Sequence, residues 1–235
     1  MITFNKISKK FGKLKVLNEI TTICQKGECI ALIGPNGSGK TTLIKCILGM
    51  VIPDSGTLTF DGKSISGDWQ YRDNIGYMPQ IGRYPDNMTI GQVLDMMKDI
   101  RNSKELDEDL IRGFSINKIL DKRMRTLSGG TIQKVSAALA FLFDPAVLIL
   151  DEPTAGLDPI ASELFKEKIL AEKEKGKLVL ITSHILSDLD DLVSRVIYMQ
   201  DGSLIFHKSV DELKRDTGEE RLVKSIAQVM SMNYE

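Results

Sequence analysis

The chain has 235 residues, with 31 lysines and arginines against 32 aspartates and glutamates, a formal net charge of −1. A balance that even leaves no electrostatic basis for non-specific binding to DNA or RNA, and the 42% apolar and 27% charged content is that of an ordinary globular protein. The length is enough for one substantial core, or for a core with a lobe inserted into it. Cys24, Cys29 and Cys46 form no C-x-x-C pair and are odd in number, so they read as small core residues in a reducing compartment. No secretory signal is legible after Met1, and the longest apolar run, residues 135–143, stops at Asp144-Pro145, short of the ~20 residues of a membrane span. If the protein serves a membrane, another chain does the crossing.

Taken in chain order, Ile2-Thr3-Phe4 and Val16-Leu17-Asn18-Glu19-Ile20 pattern as strands around an exposed basic stretch at residues 9–15, and Lys26-Gly27-Glu28 turns the chain. Cys29-Ile30-Ala31-Leu32-Ile33 then reads as a short buried strand and Leu43-Ile44-Lys45-Cys46-Ile47-Leu48 as the start of an apolar helix. Between them, Gly34-Pro35-Asn36-Gly37-Ser38-Gly39-Lys40-Thr41-Thr42 fits the G-x-x-x-x-G-K-[ST] phosphate-binding loop, in the strand–loop–helix order which that motif requires. Glycines let the backbone fold tightly enough to aim several N–H groups at one anion, and the helix start adds its own. Lys40 is placed to reach the β- and γ-phosphates of a nucleotide and the Thr41 hydroxyl to ligate Mg²⁺. Pro53-Asp54-Ser55-Gly56 is a turn, followed by a strand at Thr57-Leu58-Thr59-Phe60 that closes at Asp61-Gly62.

Residues 82–126 change character: helical runs at residues 90–100 and 106–114 predict a small helical lobe. Its Met88, Met96 and Met97 are either adaptable core or a groove for a partner's helix. Leu127-Ser128-Gly129-Gly130 precedes a helix, residues 131–143, that is apolar nearly all round. Ser128 is an N-cap candidate, and Gly129-Gly130 are either a flexible helix entry or a second anion site that completes a pocket on another copy. Ala146-Val147-Leu148-Ile149-Leu150 is a buried strand with Asp151-Glu152-Pro153 just past its end, the edge of an α/β sheet where ligands bind. There Asp151 would hold a metal, directly or through water, and Glu152 would polarise an attacking water. Asp158 caps the next helix, with Pro159 in its first turn and Gly176 ending it, and Leu178-Val179-Leu180-Ile181-Thr182 is another buried strand. His207 reads as a surface residue, and from Ser209 the tail reads as one or two exposed helices broken at Thr217-Gly218.

The predicted fold is therefore α/β of the phosphate-loop NTPase type: a mainly parallel sheet with an antiparallel β layer and an inserted helical subdomain. We expect a nucleotide-binding core in two parts, residues 1–81 and 141–206, a helical subdomain at residues 82–140, and a C-terminal helical tail at residues 207–235.

Together these motifs resemble the ATP-binding cassette (ABC) ATPases. Leu127-Ser128-Gly129-Gly130, with Gln133 following, looks like the family's signature motif; the phosphate loop and the stretch ending Asp151-Glu152-Pro153 match its two nucleotide motifs. Gln80, in Tyr77-Met78-Pro79-Gln80, resembles the Q-loop glutamine; Ala155-Gly156-Leu157-Asp158 resembles the D-loop; His184, after Thr182-Ser183, resembles the switch histidine. Phe11, with Val16 five residues on, stands where the family stacks an aromatic on adenine. The likeness runs from about residue 2 to 206.

It implies ATP and Mg²⁺ as ligands, with Gly34, Pro35, Asn36, Gly37, Ser38, Gly39, Lys40, Thr41 and Thr42 on the phosphates and Thr41, Gln80 and Asp151 around the metal. Glu152, His184 and Gln80 take catalytic roles, Asp158 joins the nucleotide-binding set, and Ser128, Gly129 and Gly130 reach the nucleotide held by a second copy in a head-to-tail homodimer or paired cassette. Phe rather than Tyr at position 11, and Thr131 and Lys134 after the signature, are small departures that leave every catalytic position intact. The resemblance implies the ATPase subunit of an ABC transporter, peripheral on the cytoplasmic face of a membrane, driving a membrane-spanning partner whose helix enters a groove at Gln80 and residues 81–85. The Ala155-Gly156-Leu157-Asp158 form and the short tail look export-type, with most likeness to the ATPase of the copper-linked nitrous oxide reductase maturation system. The competing class is a non-transport ABC ATPase such as a metal-cluster assembly scaffold.

Overall fold

A computed structural model describes residues 1–101, 105–183 and 190–232, and its contacts divide into two units, Met1–Tyr71 with Leu180–Glu235, and Arg72–Val179. The first unit opens with β1 (Ile2–Phe11) and β2 (Leu14–Cys24), an antiparallel hairpin paired from Ile2↔Cys24 to Phe11↔Leu14. Both strands outrun the sequence expectation. Left-handed Lys6 and Glu19, at φ of 52° and 49°, sit beside register shifts that break the period-2 alternation on which a strand is recognised. The basic stretch at residues 9–15 is the tip of this hairpin. β3 (Cys29–Ile33) is buried at every position, and α1 (Lys40–Ile47) follows the loop after it. β4 (Ser55–Phe60) and β5 (Lys63–Ser64) complete an antiparallel sheet ordered β2-β1-β4-β5, the expected β layer.

The second unit begins with β6 (Ile75–Met78), then α2 (Ile90–Arg101), α3 (Asp109–Gly113) and α4 (Gly129–Phe141). β7 (Val147–Asp151) runs parallel to β6 with Tyr77 opposite Ile149, and α5 (Pro159–Glu174) follows. α3, α4 and α5 meet through aromatic edges: the Phe165 ring stands 6.2 Å from Phe114 and 5.6 Å from Phe141. Glu172 is wholly buried there, and burial alone would push its carboxyl up. Hydrogen bonds from Lys175, Lys177 and Lys168 outweigh that cost and hold it at about 2. Asp107, Asp109 and Asp144 pair with Lys168 and Lys177 in the same cluster, so its charges are matched across α3, α5 and the turn before β7.

β8 (Leu178–Thr182) carries the division between the units. β9 (Arg195–Gln200) and β10 (Ser203–Ser209), which the sequence reading left unassigned, return the chain to the first unit. β9 lies parallel to β3 and antiparallel to β10. Strand order is β10-β9-β3 in the first unit, and β7 neighbours β6 in the second. α6 (Val210–Thr217) starts on a capping box at Ser209 and Glu212 and ends on left-handed Gly218, at the predicted break; α7 (Leu222–Met232) follows. These helices are not simply exposed: Leu213, Leu222 and Ile226 have no accessible surface, because each helix turns an apolar face to the unit. Cys24, Cys29 and Cys46 are buried thiols, and burial pushes the Cys24 thiol up to about 12 and the Cys46 thiol to about 11, as befits core residues. Among the described residues no helix is long and apolar enough to cross a membrane.

Candidate nucleotide site

In the first unit, β3 feeds the loop at residues 34–39 directly into α1, as the motif demands. The loop's glycines are dictated by its neighbours. Gly34 has φ +149°, and a Cβ there would stand 2.1 Å from the Met199 carbonyl oxygen. Gly39, at φ +99°, would put a Cβ 2.6 Å from the Val16 carbonyl oxygen. Gly39 also takes the N-cap position of α1 with no side chain to cap it, so the first-turn amides of the helix are left for another acceptor. Lys40 Nζ lies over the loop, donating to the carbonyls of Gly34 at 2.8 Å and Pro35 at 3.0 Å. The Ser38 hydroxyl is 2% exposed as a residue and has no hydrogen-bond partner. A buried hydroxyl left unpaired costs about 1–3 kcal/mol, which an anion accepting its proton would recover. Thr41 is exposed and Thr42 half-buried in the first turn, while Pro35, Asn36 and Gly37 are exposed.

The loop rests on a support that sequence motifs do not mark. The turn at Asp201 and Gly202, between β9 and β10, accepts and donates beneath it: Gly202 N–H donates to the Ser38 carbonyl at 3.2 Å and its own carbonyl accepts from Asn18 N–H at 2.8 Å. A Cβ on Gly202 would meet the Val16 carbonyl oxygen at 2.7 Å. The Val16 carbonyl thus lies close against both Gly39 of the loop and Gly202. Phe11, expected to stack on a base, is 51% exposed at the hairpin tip, with Lys9 Nζ 5.5 Å from its ring centre. The clue available in the sequence was the Asp201-Gly202 dipeptide between two apolar runs.

In the second unit, the parallel register of β6 and β7 pairs Met78 with Leu150, so Gln80 and the Asp151-Glu152 pair leave adjacent strands at the same sheet edge. Gln80 is exposed; Asp151 and Glu152 are half-buried. Burial raises the Tyr77 hydroxyl above its ordinary range and the Asp151 charge adds to the shift. Glu152 has a left-handed backbone, φ +52°, unusual for a side chain of its size.

Ser128 caps α4, its hydroxyl accepting from Thr131 N–H at 3.3 Å. Ser128 and Gly129 are exposed at the helix tip. The two glycines differ in what surrounds them: nothing lies within 4 Å of a Cβ on Gly129, whereas one on Gly130 would stand 2.6 Å from the Gly156 carbonyl oxygen. Asp158 caps α5, accepting from Ala161 N–H at 2.9 Å, and pairs with Lys134 Nζ at 2.6 Å. The Lys134 hydrogen bond and the Ala161 amide hold its carboxyl below the usual range. Gln133, part of the signature resemblance, and Lys134, a departure just after it, both reach residues 152–158.

His184 lies outside the described residues. His207 is no free surface residue. Its Nε2 accepts from Arg195 Nε at 3.0 Å and its Nδ1 stands 2.7 Å from Thr22 Oγ1, so the ring is neutral with its proton on Nδ1. Burial, and then the Arg195 charge, push it down to about 4.

The matching family model, described as ABC transporter, spans residues 17–155. An uncharacterised ABC transporter ATP-binding protein of Synechocystis is 36% identical over 220 residues, 90% of this chain and 62% of its own length. The Nod factor export ATP-binding protein I of Burkholderia lata is 33% identical over 210 residues, 87% of this chain and 69% of its own. This chain thus spans under two thirds of the first of these relatives. A solved structure, the ATP binding subunit of an ABC transporter, superposes with a TM-score of 0.91 at 27% identity, covering 98% of this chain and 99% of that one. The loop, the acidic strand end and the capped signature helix therefore sit in a chain that belongs to the ABC transporter family.

Proposed function

We propose that this cassette hydrolyses ATP as one half of a head-to-tail pair and so drives a membrane-spanning subunit from the cytoplasmic face. The observation that carries the reading is the phosphate loop: tight glycine turns, an uncapped helix start, a lysine over the loop and a buried serine hydroxyl lacking an acceptor. In this reading residues 34–42 bind the phosphates and Phe11 and Val16 border the adenine. Ser128 and Gly129, exposed at the tip of α4, cover the nucleotide held by the second cassette, with Gly130 behind them. Glu152 orients the attacking water, and His184 and Gln80 attend the γ-phosphate.

By side-chain chemistry alone, the hydroxyl of Thr41, the amide oxygen of Gln80 and the carboxylate of Asp151 are hard oxygen donors of the kind Mg²⁺ takes. When bound, that ion neutralises charge developing on the β- and γ-phosphates. Closure of the pair excludes water and aligns the one that attacks.

The membrane partner is supported by the helical part of the second unit, where Met88, Gln92, Asp95, Met96, Asp99 and Ile100 line an open groove of about 430 Å³. That favours the partner-groove reading of the methionines, although the groove is lined by α2 rather than by Gln80 and residues 81–85. Export as the direction draws support from the Nod factor export relative; the likeness to the nitrous oxide reductase maturation ATPase rests on sequence alone. Glu152→Gln should bind ATP with little cleavage and elute as a dimer with ATP and Mg²⁺ in size-exclusion chromatography. A variant that stays monomeric would remove the paired-cassette reading.

A further inference from the structure

Helix α4 and residues 152–158 are strapped together at three points. Gln133, 5% exposed, directs Nε2 to the Glu152 carbonyl oxygen at 3.4 Å. Lys134 Nζ pairs with Asp158 Oδ2 at 2.6 Å. Gly130 admits the Gly156 carbonyl oxygen to within 2.6 Å of where a Cβ would be. At the head of the strapped segment stands Glu152 at φ +52°, a backbone that is unfavourable for a non-glycine residue and persists only where its surroundings hold it. Its carbonyl closes a turn by accepting Ala155 N–H at 3.2 Å, and the Gln133 side chain reaches the same oxygen. At the far end, Asp158 is fixed twice, by Ala161 N–H and by Lys134.

A left-handed φ at Glu152 sets a different side-chain direction from the one an extended backbone continuing β7 would give. Relaxation of φ to the negative region would swing the carboxylate off its direction, and a misplacement of ~1 Å is worth on the order of 10²-fold in rate. We propose that Gln133 and Lys134 are positioning residues for Glu152: from α4 they hold residues 152–158 in the conformation that aims the Glu152 carboxylate. The proposal rests on Glu152 as the group that orients water. Because Ser128 caps the start of α4, the strap also ties the helix tip that covers one nucleotide to the carboxylate serving another.

The test compares Gln133→Leu, which keeps the bulk and removes the donor, with Lys134→Met and Lys134→Arg in the full chain. The readouts are kcat, KM and nucleotide affinity together with amide hydrogen exchange at Ala155. Gln133→Leu should lower kcat on the order of ten-fold or more, leave KM and nucleotide Kd within about two-fold, and speed exchange at Ala155. Lys134→Met should show a smaller loss that Lys134→Arg restores. In a Glu152→Gln background, Gln133→Leu should cost nothing further, since the group it positions is gone. Wild-type kcat and exchange in Gln133→Leu, or a full loss on top of Glu152→Gln, would overturn the proposal. If Glu152→Gln itself turns over normally, the reading of Glu152 fails instead, and exchange at Ala155 still decides whether Gln133 holds the loop. Should Gln133→Leu not fold, Lys134→Met at its partly exposed position carries the same comparison.

Discussion

The adjacent glycines at the tip of α4 allow a stability prediction with an internal control. An alanine at position 130 would place its Cβ 2.6 Å from the Gly156 carbonyl oxygen, where ordinary contact begins at 3.4 Å, so helix and loop must part by about 0.8 Å. The obstacle is backbone on both sides, with no flexible side chain to swing away. Strain of this kind costs typically ~1–3 kcal/mol. An alanine at position 129 meets nothing within 4 Å. Each substitution also gains helix propensity of up to ~1 kcal/mol, and that gain largely cancels between neighbouring first-turn positions. The difference between the two variants therefore isolates the clash. At ~2–4 °C per kcal/mol for a chain of this size, Gly130→Ala should melt roughly 2–12 °C below Gly129→Ala by differential scanning calorimetry. Coincident melting, or the reverse order, would refute the claim that Gly130 is glycine because the Gly156 carbonyl lies against it.

Lys40→Ala should abolish tight ATP binding or turnover, read by nucleotide titration and phosphate release; unchanged hydrolysis would take Lys40 out of the site. His207 predicts a pH dependence of stability. Its folded value of about 4 lies below the ordinary 6.5, so the unfolded chain binds the extra proton between those values and stability falls as pH drops from 6.5 towards 4. The loss should reach at most about 3 kcal/mol in urea unfolding, and His207→Gln should flatten that part of the profile. An unaltered profile would mean that the ring is not held neutral between Arg195 and Thr22.

Much of the fold was legible because it is local. Strand, phosphate loop and α1 are contiguous, and the caps at Ser128 and Asp158 with the stops at Gly176 and Gly218 act within a few residues of themselves. β9 and β10 were not read, although β9 is a buried apolar run, because β10 shifts register between Leu204 and Phe206 and carries His207 and Lys208 where alternation would be sought. α6 looked exposed because its composition is polar, yet Val210 and Leu213 on one face are buried; α7 is mostly apolar, and the polar stretch at residues 214–221 before it hid that face.

The sequence by itself determined which residues could bind phosphate, carry charge to a strand end and open a helix, since those capacities belong to side-chain chemistry and to backbone within one turn. Only the tertiary structure decided what holds them there. That Val16 and Gly202 lie under the phosphate loop, that Gly156 lies against Gly130, and that Gln133 reaches the carbonyl of Glu152 are contacts between segments far apart in the chain. Such contacts run largely through backbone atoms, which every residue shares, so they leave no mark in the order of the side chains.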